Sequence, residues 1–157
     1  MSAHRRARPR SGTGAGTELL ALGTAGTLAG MTYTIKNLAS VDDSAPRFGY
    51  AEVGEAHFAR GALEAERTGV AYHVLRPNRR QAFAHRHDDA EEVAVVISGG
   101  GRVKLDDDVC EVRALDAIRF APSVTRQFEA GPEGMSYVVF GQHHDRDGEL
   151  IHEGFWD

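Results

Sequence analysis

Two histidines and a carboxylate are the residues of this sequence whose types and spacing are best suited to chemistry. His85 and His87 are two residues apart, so on an extended chain both imidazoles project from the same face. Glu92 opens an apolar run that predicts a buried strand, and a carboxylate there needs a cation or hydrogen-bond donors to offset its desolvation. The three side chains therefore predict a site for a divalent transition metal: iron, manganese, nickel, copper or zinc. The alternative is an exposed polar turn in which both histidines are solvated.

The length and the charge of the chain restrict the class of protein. A chain of 157 residues is long enough for one domain with a hydrophobic core. Residues 1–30 contain four arginines and one glutamate, which leaves 14 basic and 22 acidic residues in the rest of the chain. A nucleic-acid groove needs the opposite sign, and no stretch reaches the length of a transmembrane helix. We therefore expect a cytoplasmic protein with neither a nucleic acid nor a membrane as partner.

The first thirty residues differ from the remainder in composition. An arginine-rich start is followed by a glycine-rich segment and a weak apolar run that Gly23 and Gly26 interrupt. This composition predicts a disordered N-terminal extension over residues 1–30 and a single domain over residues 31–157. A cleaved secretory signal is the alternative for the extension.

The remaining chain predicts an all-β domain. After Gly69, short strand-like runs alternate with turn signals, as in antiparallel sandwiches and barrels, and long helical patterns are missing. The Gly99–Gly101 triplet and the Asp106–Asp108 run are predicted turns. We interpret the histidine-containing segment 142–148 as a solvated loop rather than a second metal site. The predicted strands are 33–38, 47–53, 70–75, a strand that contains His85 and His87, 92–97, 102–105, 109–112, 117–120, 126–129 and 137–140, with a loop or short helix at 57–67.

The order of these motifs resembles the cupin superfamily. Its first motif is a glycine, five residues, His-x-His, three or four residues, a glutamate, six residues and a glycine. Arg79 stands in place of the leading glycine. Glu91 would satisfy the spacing of three residues after the second histidine, but only Glu92 is followed by six residues and then the last glycine, so Glu92 is the predicted ligand. The resemblance implies an antiparallel double-stranded β-helix, the cupin jelly-roll barrel, which commonly forms homodimers. The positions that fit are His85, His87, Glu92 and Gly99.

The second cupin motif, which supplies a fourth metal-binding histidine, is not matched. If Asp116 takes the place of the family aspartate, Arg126 falls at the histidine position; a second register places Gln127 there. Arginine cannot donate a lone pair, so three ligands would leave positions open for water or substrate. Arg126 could then clamp a carboxylate or phosphate, with Gln127 and Phe83 as further substrate-binding residues. The alternative is that Arg126 pairs with Glu92 and the barrel carries no metal.

Two functional classes follow from these motifs. The resemblance and the triad predict a metal-dependent dioxygenase or isomerase acting on a small anionic molecule, because no residue is recognisable as a dedicated nucleophile. The other class is a non-catalytic ligand-binding or sensor barrel without metal, in which Arg126 recognises an anion. The fold alone does not choose between them.

Overall fold

The protein is almost entirely β-structure in the computed structural model, which describes residues 26–28 and 31–156. The described residues contain no α-helix, which confirms the all-β prediction. No helix in this part of the chain is long and apolar enough to cross a membrane. Two 3-10 helices cover Leu38–Ser40 and Ala45–Phe48. The strands are β1 Gly26–Leu28, β2 Met31–Tyr33, β3 Gly54–Phe58, β4 Thr68–Leu75, β5 Ala84–His87, β6 Glu92–Leu105, β7 Asp108–Arg113, β8 Ala117–Phe120, β9 Arg126–Gln142 and β10 Gly148–Ile151.

Strands β3 to β10 form a curled antiparallel sheet around two long members, β6 and β9, which confirms the predicted barrel architecture, and β1 and β2 form a separate two-stranded sheet. One path through the sheet runs β10, β5, β9, β4 and β3. β6 pairs with β9 from Glu92 opposite Gly141 to Leu105 opposite Arg126. The first half of β6 also pairs with β8 and its second half with β7, so the two long strands are shared by both walls of the barrel. β5, which carries the histidines, lies between β10 and β9.

The glycine triplet bends β6 without ending it, so the predicted turn at Gly99–Gly101 is wrong. The partner of β6 in β9 changes from Met135 at Gly99 to Ala130 at Gly101, and the intervening residues of β9 bulge. A Cβ atom at Gly99, where φ is +68°, would lie 2.1 Å from the Gly134 carbonyl oxygen. One at Gly101 would lie 2.0 Å from the Glu129 carbonyl oxygen. The triplet is glycine because the backbones approach too closely for side chains.

The core lies between the two walls and follows from strand alternation. Ala94 and Val96 on β6 are fully buried, whereas Val93 and Val95 lie on the other face and are half-buried. Burying each large apolar side chain contributes roughly 1.5–3 kcal/mol. The core residues are Leu75, Ala94, Val96, Val103, Val112, Phe120, Phe128, Ala130, Met135 and Tyr137.

Local hydrogen bonds near the N-terminus override the predicted strands at 33–38 and 47–53. The Asn37 side chain accepts a hydrogen bond from the Ala39 amide at 3.0 Å and starts a 3-10 helix. Pro46 lies in the first turn of the second 3-10 helix, which Gly49 ends at a φ of +80°. The extension predicted over 1–30 is described only at Gly26–Leu28, which pairs with β2, and its remainder lies outside the described residues.

Candidate metal centre

The interior of the barrel contains a cavity of about 440 Å³. Four aromatic residues, Phe58, Phe83, Phe120 and Phe128, form its apolar lining. The polar side chains that face it come from four strands and include His73, His85, His87, Glu92, Arg126 and Tyr137. The cavity therefore combines an apolar wall with a compact group of ionisable side chains, as small-molecule sites commonly do.

Three of the predicted residues converge at one point of this cavity. His85 and His87 are alternate residues of β5, and their ring centroids are 5.6 Å apart with the planes nearly perpendicular. Glu92 begins β6 after a short connection. One potential ligand atom from each of the three side chains lies within 4.8 Å of the others. The structure thus brings the predicted triad together. It places both histidines on a half-buried strand rather than in the exposed polar turn of the alternative.

Glu92 directs its two carboxylate oxygens to different partners. Oε2 accepts a short hydrogen bond from Nη2 of Arg126, whereas Oε1 lies 3.4 Å from Nε2 of His87. Burial opposes the charge of this carboxylate, but the hydrogen bond with His87 and the charge of Arg126 prevail and lower the pKa of Glu92 to about 2. Glu92 is therefore an anion with one oxygen on the histidine side.

His85 has the properties of a neutral metal ligand. Burial, reinforced by the charge of Arg126, lowers the pKa of His85 to about 3, so the imidazole is uncharged at physiological pH. Its Nδ1 is buried and has no hydrogen-bond partner among the residues described. Two imidazoles and a carboxylate form a donor set that suits iron, manganese, nickel, copper or zinc, so the side chains fit a divalent transition metal.

Arg126 is almost completely buried, with 2% of its side chain exposed. It faces Glu92 across the cavity, and its Nη1 donates to the Val124 carbonyl oxygen at 3.3 Å. The ion pair on which the metal-free alternative depends is therefore present. The triad is present with it, because Arg126 takes the Glu92 oxygen that is remote from His87.

Of the other two predicted substrate-binding residues, Phe83 and Gln127, only Phe83 lines the cavity. The ring of Phe83 lies 6.2 Å from that of His85 in an edge-to-face arrangement. Gln127 is buried but is not part of the cavity lining, because alternation along β9 directs Arg126 and Phe128 inward. The Gln127 amide instead donates to the Gln81 carbonyl oxygen at 2.7 Å.

Two further polar residues of the cavity were not identified from the sequence. His73 on β4 stacks on Tyr137 of β9 with ring centroids 5.1 Å apart, and burial lowers the pKa of His73 to about 4. Burial raises the pKa of Tyr137 well above its ordinary value, and its hydroxyl has no partner within the described part of the chain. Both residues have the inward parity of their strands, which is the signal that could have found them.

The segment 142–148 after β9 is only in part the solvated loop that the sequence predicts, because one of its residues is buried. His144 and Asp145 are exposed, but Asp147, the residue before β10, is buried and lies directly behind His87. Its carboxylate accepts hydrogen bonds from the backbone amides of Asp88, Asp89 and Ala90. Spacing in the sequence gives no sign of this contact, because it depends on β10 pairing with β5.

Comparison with known proteins agrees with this architecture. A family model described as a cupin domain matches residues 71–141, which include the triad and Arg126. No curated protein matches the sequence. A cupin protein from Bacteroides fragilis has a similar fold, with a TM-score of 0.57 and 20% identity over 78% of this chain and 94% of that one.

Two similar structures have names that refer to an activity. A putative sugar phosphate isomerase from Acidithiobacillus ferrooxidans has a TM-score of 0.54 and 21% identity, over 61% of this chain and 64% of that one. Oxalate decarboxylase from Bacillus subtilis has a TM-score of 0.57 and 17% identity, over 74% of this chain and 32% of that one. At these identities the similarity establishes the fold.

Proposed function

We propose that this chain, whose residues 71–141 match the cupin domain, binds one divalent transition-metal ion and acts on a small anionic molecule. His85, His87 and Glu92 are the proposed ligands. The observation that carries the proposal is the convergence of their three ligand atoms within 4.8 Å at the wall of the barrel cavity. When bound, the ion would supply Lewis-acid or redox chemistry, which corresponds to an isomerase or a dioxygenase.

The charges around the triad support an anionic ligand. Glu92 and Asp147 are acids, Arg126 is a cation, and ligating histidines are neutral. A divalent ion therefore leaves a net positive charge around the triad, to which Arg60 on the lining of the same cavity adds. A carboxylate or phosphate group would neutralise this charge, and Nε of Arg126, which has no partner among the described residues, is available to donate to it.

Neighbouring side chains would orient the rest of the ligand. The Tyr137 hydroxyl can donate a hydrogen bond into the cavity, since burial keeps the phenol protonated. Phe83 and Phe128 would exclude water around the reacting group and pack against apolar parts of the molecule. Two proteins of similar fold are named for small anions, oxalate and a sugar phosphate, which is consistent with this substrate class.

The second candidate function is a non-catalytic anion-binding barrel without metal. The Arg126–Glu92 ion pair supports it, because that pair already compensates the buried carboxylate. In this case an anion would be held by Arg126 and Tyr137 without turnover.

A titration of the full-length protein with Co²⁺ separates the two functions. Metal-free wild type should develop visible ligand-field absorption that saturates at about one equivalent, as expected for a single site. His85→Ala and His87→Ala should each weaken Co²⁺ binding by at least roughly tenfold. His143→Ala is the matched control, because His143 lines the same cavity outside the triad. Equal binding by all four proteins would contradict the ligand assignment.

Oxalate and inorganic phosphate are then the probes for the anion. If the proposed function is correct, either anion should perturb the Co²⁺ absorption of the loaded protein. Anion binding of equal affinity with and without Co²⁺ would instead favour the metal-free barrel.

A further inference from the structure

Asp147 is an acidic residue immediately before the C-terminal strand, and it lies against the triad. It directly precedes β10, whose Gly148 is the register partner of His87 in β5. Only 9% of the residue is exposed. It lies outside residues 71–141, the part of the chain that matches the cupin domain.

Backbone hydrogen bonds fix the Asp147 carboxylate. Oδ1 accepts from the amides of Asp88 and Asp89 at 3.0 and 2.8 Å, and Oδ2 accepts from the amide of Ala90 at 3.1 Å. These amides belong to the short connection between His87 and Glu92. The aspartate therefore holds the segment that joins two of the proposed metal ligands, with its own orientation determined by three donors.

The fixed carboxylate faces one nitrogen of His87. Oδ2 of Asp147 lies 3.4 Å from Nδ1, while the other ring nitrogen, Nε2, lies 3.4 Å from Oε1 of Glu92. A lone pair on Nδ1 would lie near an anionic oxygen, whereas a proton there is attracted to it; at this distance Nδ1 makes no hydrogen bond within the described part of the chain. Arg126 pairs directly with Glu92, but the described residues give Asp147 no lysine or arginine partner within ion-pair distance. Asp147 is thus the stronger acceptor for the ring proton.

We propose that Asp147 is a positioning residue that keeps the His87 proton on Nδ1, so that the Nε2 lone pair is directed to the metal. The metal part of this inference rests on the proposed function, whereas the tautomer can be measured without any metal. A carboxylate behind a ligating histidine fixes the ring orientation and increases the basicity of the ligand. In this protein, the C-terminal strand completes a site whose ligands all lie earlier in the chain.

Asp147→Asn is the most direct test. Asparagine keeps the shape of the side chain and an oxygen that can accept from Asp88 and Asp89. Its amide nitrogen would replace Oδ2, donate to Nδ1 of His87 and so favour the opposite tautomer, with the proton on Nε2. Asp145→Asn is the matched control, because Asp145 lies in the same segment but is exposed.

The measurement is long-range ¹H–¹⁵N NMR of the metal-free, full-length protein. At about pH 8.5, some two units above the ordinary histidine pKa of about 6.5, neutral tautomers can be distinguished by their ring ¹⁵N shifts. His87→Gln identifies the His87 signals. We expect the Nδ1–H tautomer in wild type and in Asp145→Asn, and the Nε2–H tautomer in Asp147→Asn. The last variant should also bind Co²⁺ at least roughly tenfold more weakly than wild type.

Two results would overturn the role of Asp147: an Nε2–H tautomer in wild type, or an unchanged Nδ1–H tautomer in Asp147→Asn. If Asp147→Asn does not fold, the tautomer in the wild-type spectrum is sufficient to test the proposal. Failure of wild type to bind Co²⁺ would contradict the proposed function and the metal part of this inference, and the NMR result would still decide the tautomer.

Discussion

At the scale of single residues, the central feature is the division of the Glu92 carboxylate between two partners. One oxygen accepts from Arg126, and the other faces His87. Arginine at the position of a fourth histidine therefore does not remove the site, because it occupies the oxygen that the triad does not need. It adds a fixed positive charge beside the ligands instead. This arrangement makes the stability of the metal-free protein dependent on Arg126.

Arg126→Met should destabilise the metal-free protein by about 3–5 kcal/mol, because it leaves a buried carboxylate without its cation. Zn²⁺ should recover part of this loss in the variant, since the ion would replace the missing positive charge. Free energies of unfolding from urea titrations, with and without Zn²⁺, measure both effects.

Arg119→Met provides the control for this prediction. Arg119 pairs with Glu91, the neighbour of Glu92, but both side chains of that pair are largely exposed. Its loss should cost less than about 1 kcal/mol. Equal effects of the two substitutions would show that the Arg126–Glu92 pair is not buried in solution.

The residues of the site differ in how far the sequence could predict them. His85, His87 and Glu92 are close in sequence, so local spacing was sufficient to find them. Asp147, His73 and Tyr137 reach the site through pairings of β10 with β5 and of β4 with β9. Spacing along the chain carries no information on such pairings, which is why these residues were missed.

At the scale of elements, β6 is a strand with a bend where the sequence predicts a turn. Three consecutive glycines indicate a turn because they weaken strand propensity. In the structure they allow β6 and β9 to approach each other closely while pairing continues. The same strand thereby holds Glu92 at the cavity and pairs with β7 beyond the bend.

Gly101→Ala should destabilise the protein by about 3 kcal/mol, since the added Cβ would lie 2.0 Å from a backbone oxygen that has little freedom to move. Gly61→Ala is the matched control, because a Cβ there meets no atom within 4 Å; its effect should stay within about 0.5 kcal/mol. Thermal or urea unfolding measures both. A Gly101→Ala protein as stable as wild type would contradict the close approach.

The N-terminal segment is joined to β3 through a buried histidine. His57 contacts the Val41 carbonyl oxygen at 2.6 Å through Nδ1 and Glu55 at 3.0 Å through Nε2. Burial lowers the pKa of His57, but the hydrogen bonds to Glu55 and Val41 and the charges of Glu55 and Asp43 outweigh it and raise the pKa above its ordinary value. The protonated form therefore favours the folded state.

His57→Gln should thus destabilise the protein most at acidic pH. A raised folded-state pKa gives a contribution that is complete below the unfolded value of about 6.5 and is lost as the pH rises through the folded value. The difference in unfolding free energy between wild type and variant should decrease across this interval. Urea unfolding at a series of pH values measures it, and a difference that grows with pH would contradict the assignment.

At the scale of the whole molecule, local patterns predicted the architecture well. The predicted strands after Gly69 all lie within observed ones, with 126–129 and 137–140 both inside β9, because alternation and turn residues are local signals. The strand order was accessible only through the resemblance to cupins. The proposed homodimer and the cytoplasmic location stay predictions; analytical ultracentrifugation of the full-length protein tests the former, and a monomer at micromolar concentration would contradict it.

The metal content of the purified protein, measured by elemental analysis, tests the proposed site most directly. The full-length protein, purified without added metal or chelator, should contain about one equivalent of a transition metal, since the triad provides one donor set. His85→Ala and His87→Ala should each lose at least roughly nine-tenths of it, while His143→Ala keeps it. A metal content that is the same in all four proteins, or no metal even after anaerobic reconstitution of wild type, would contradict the account.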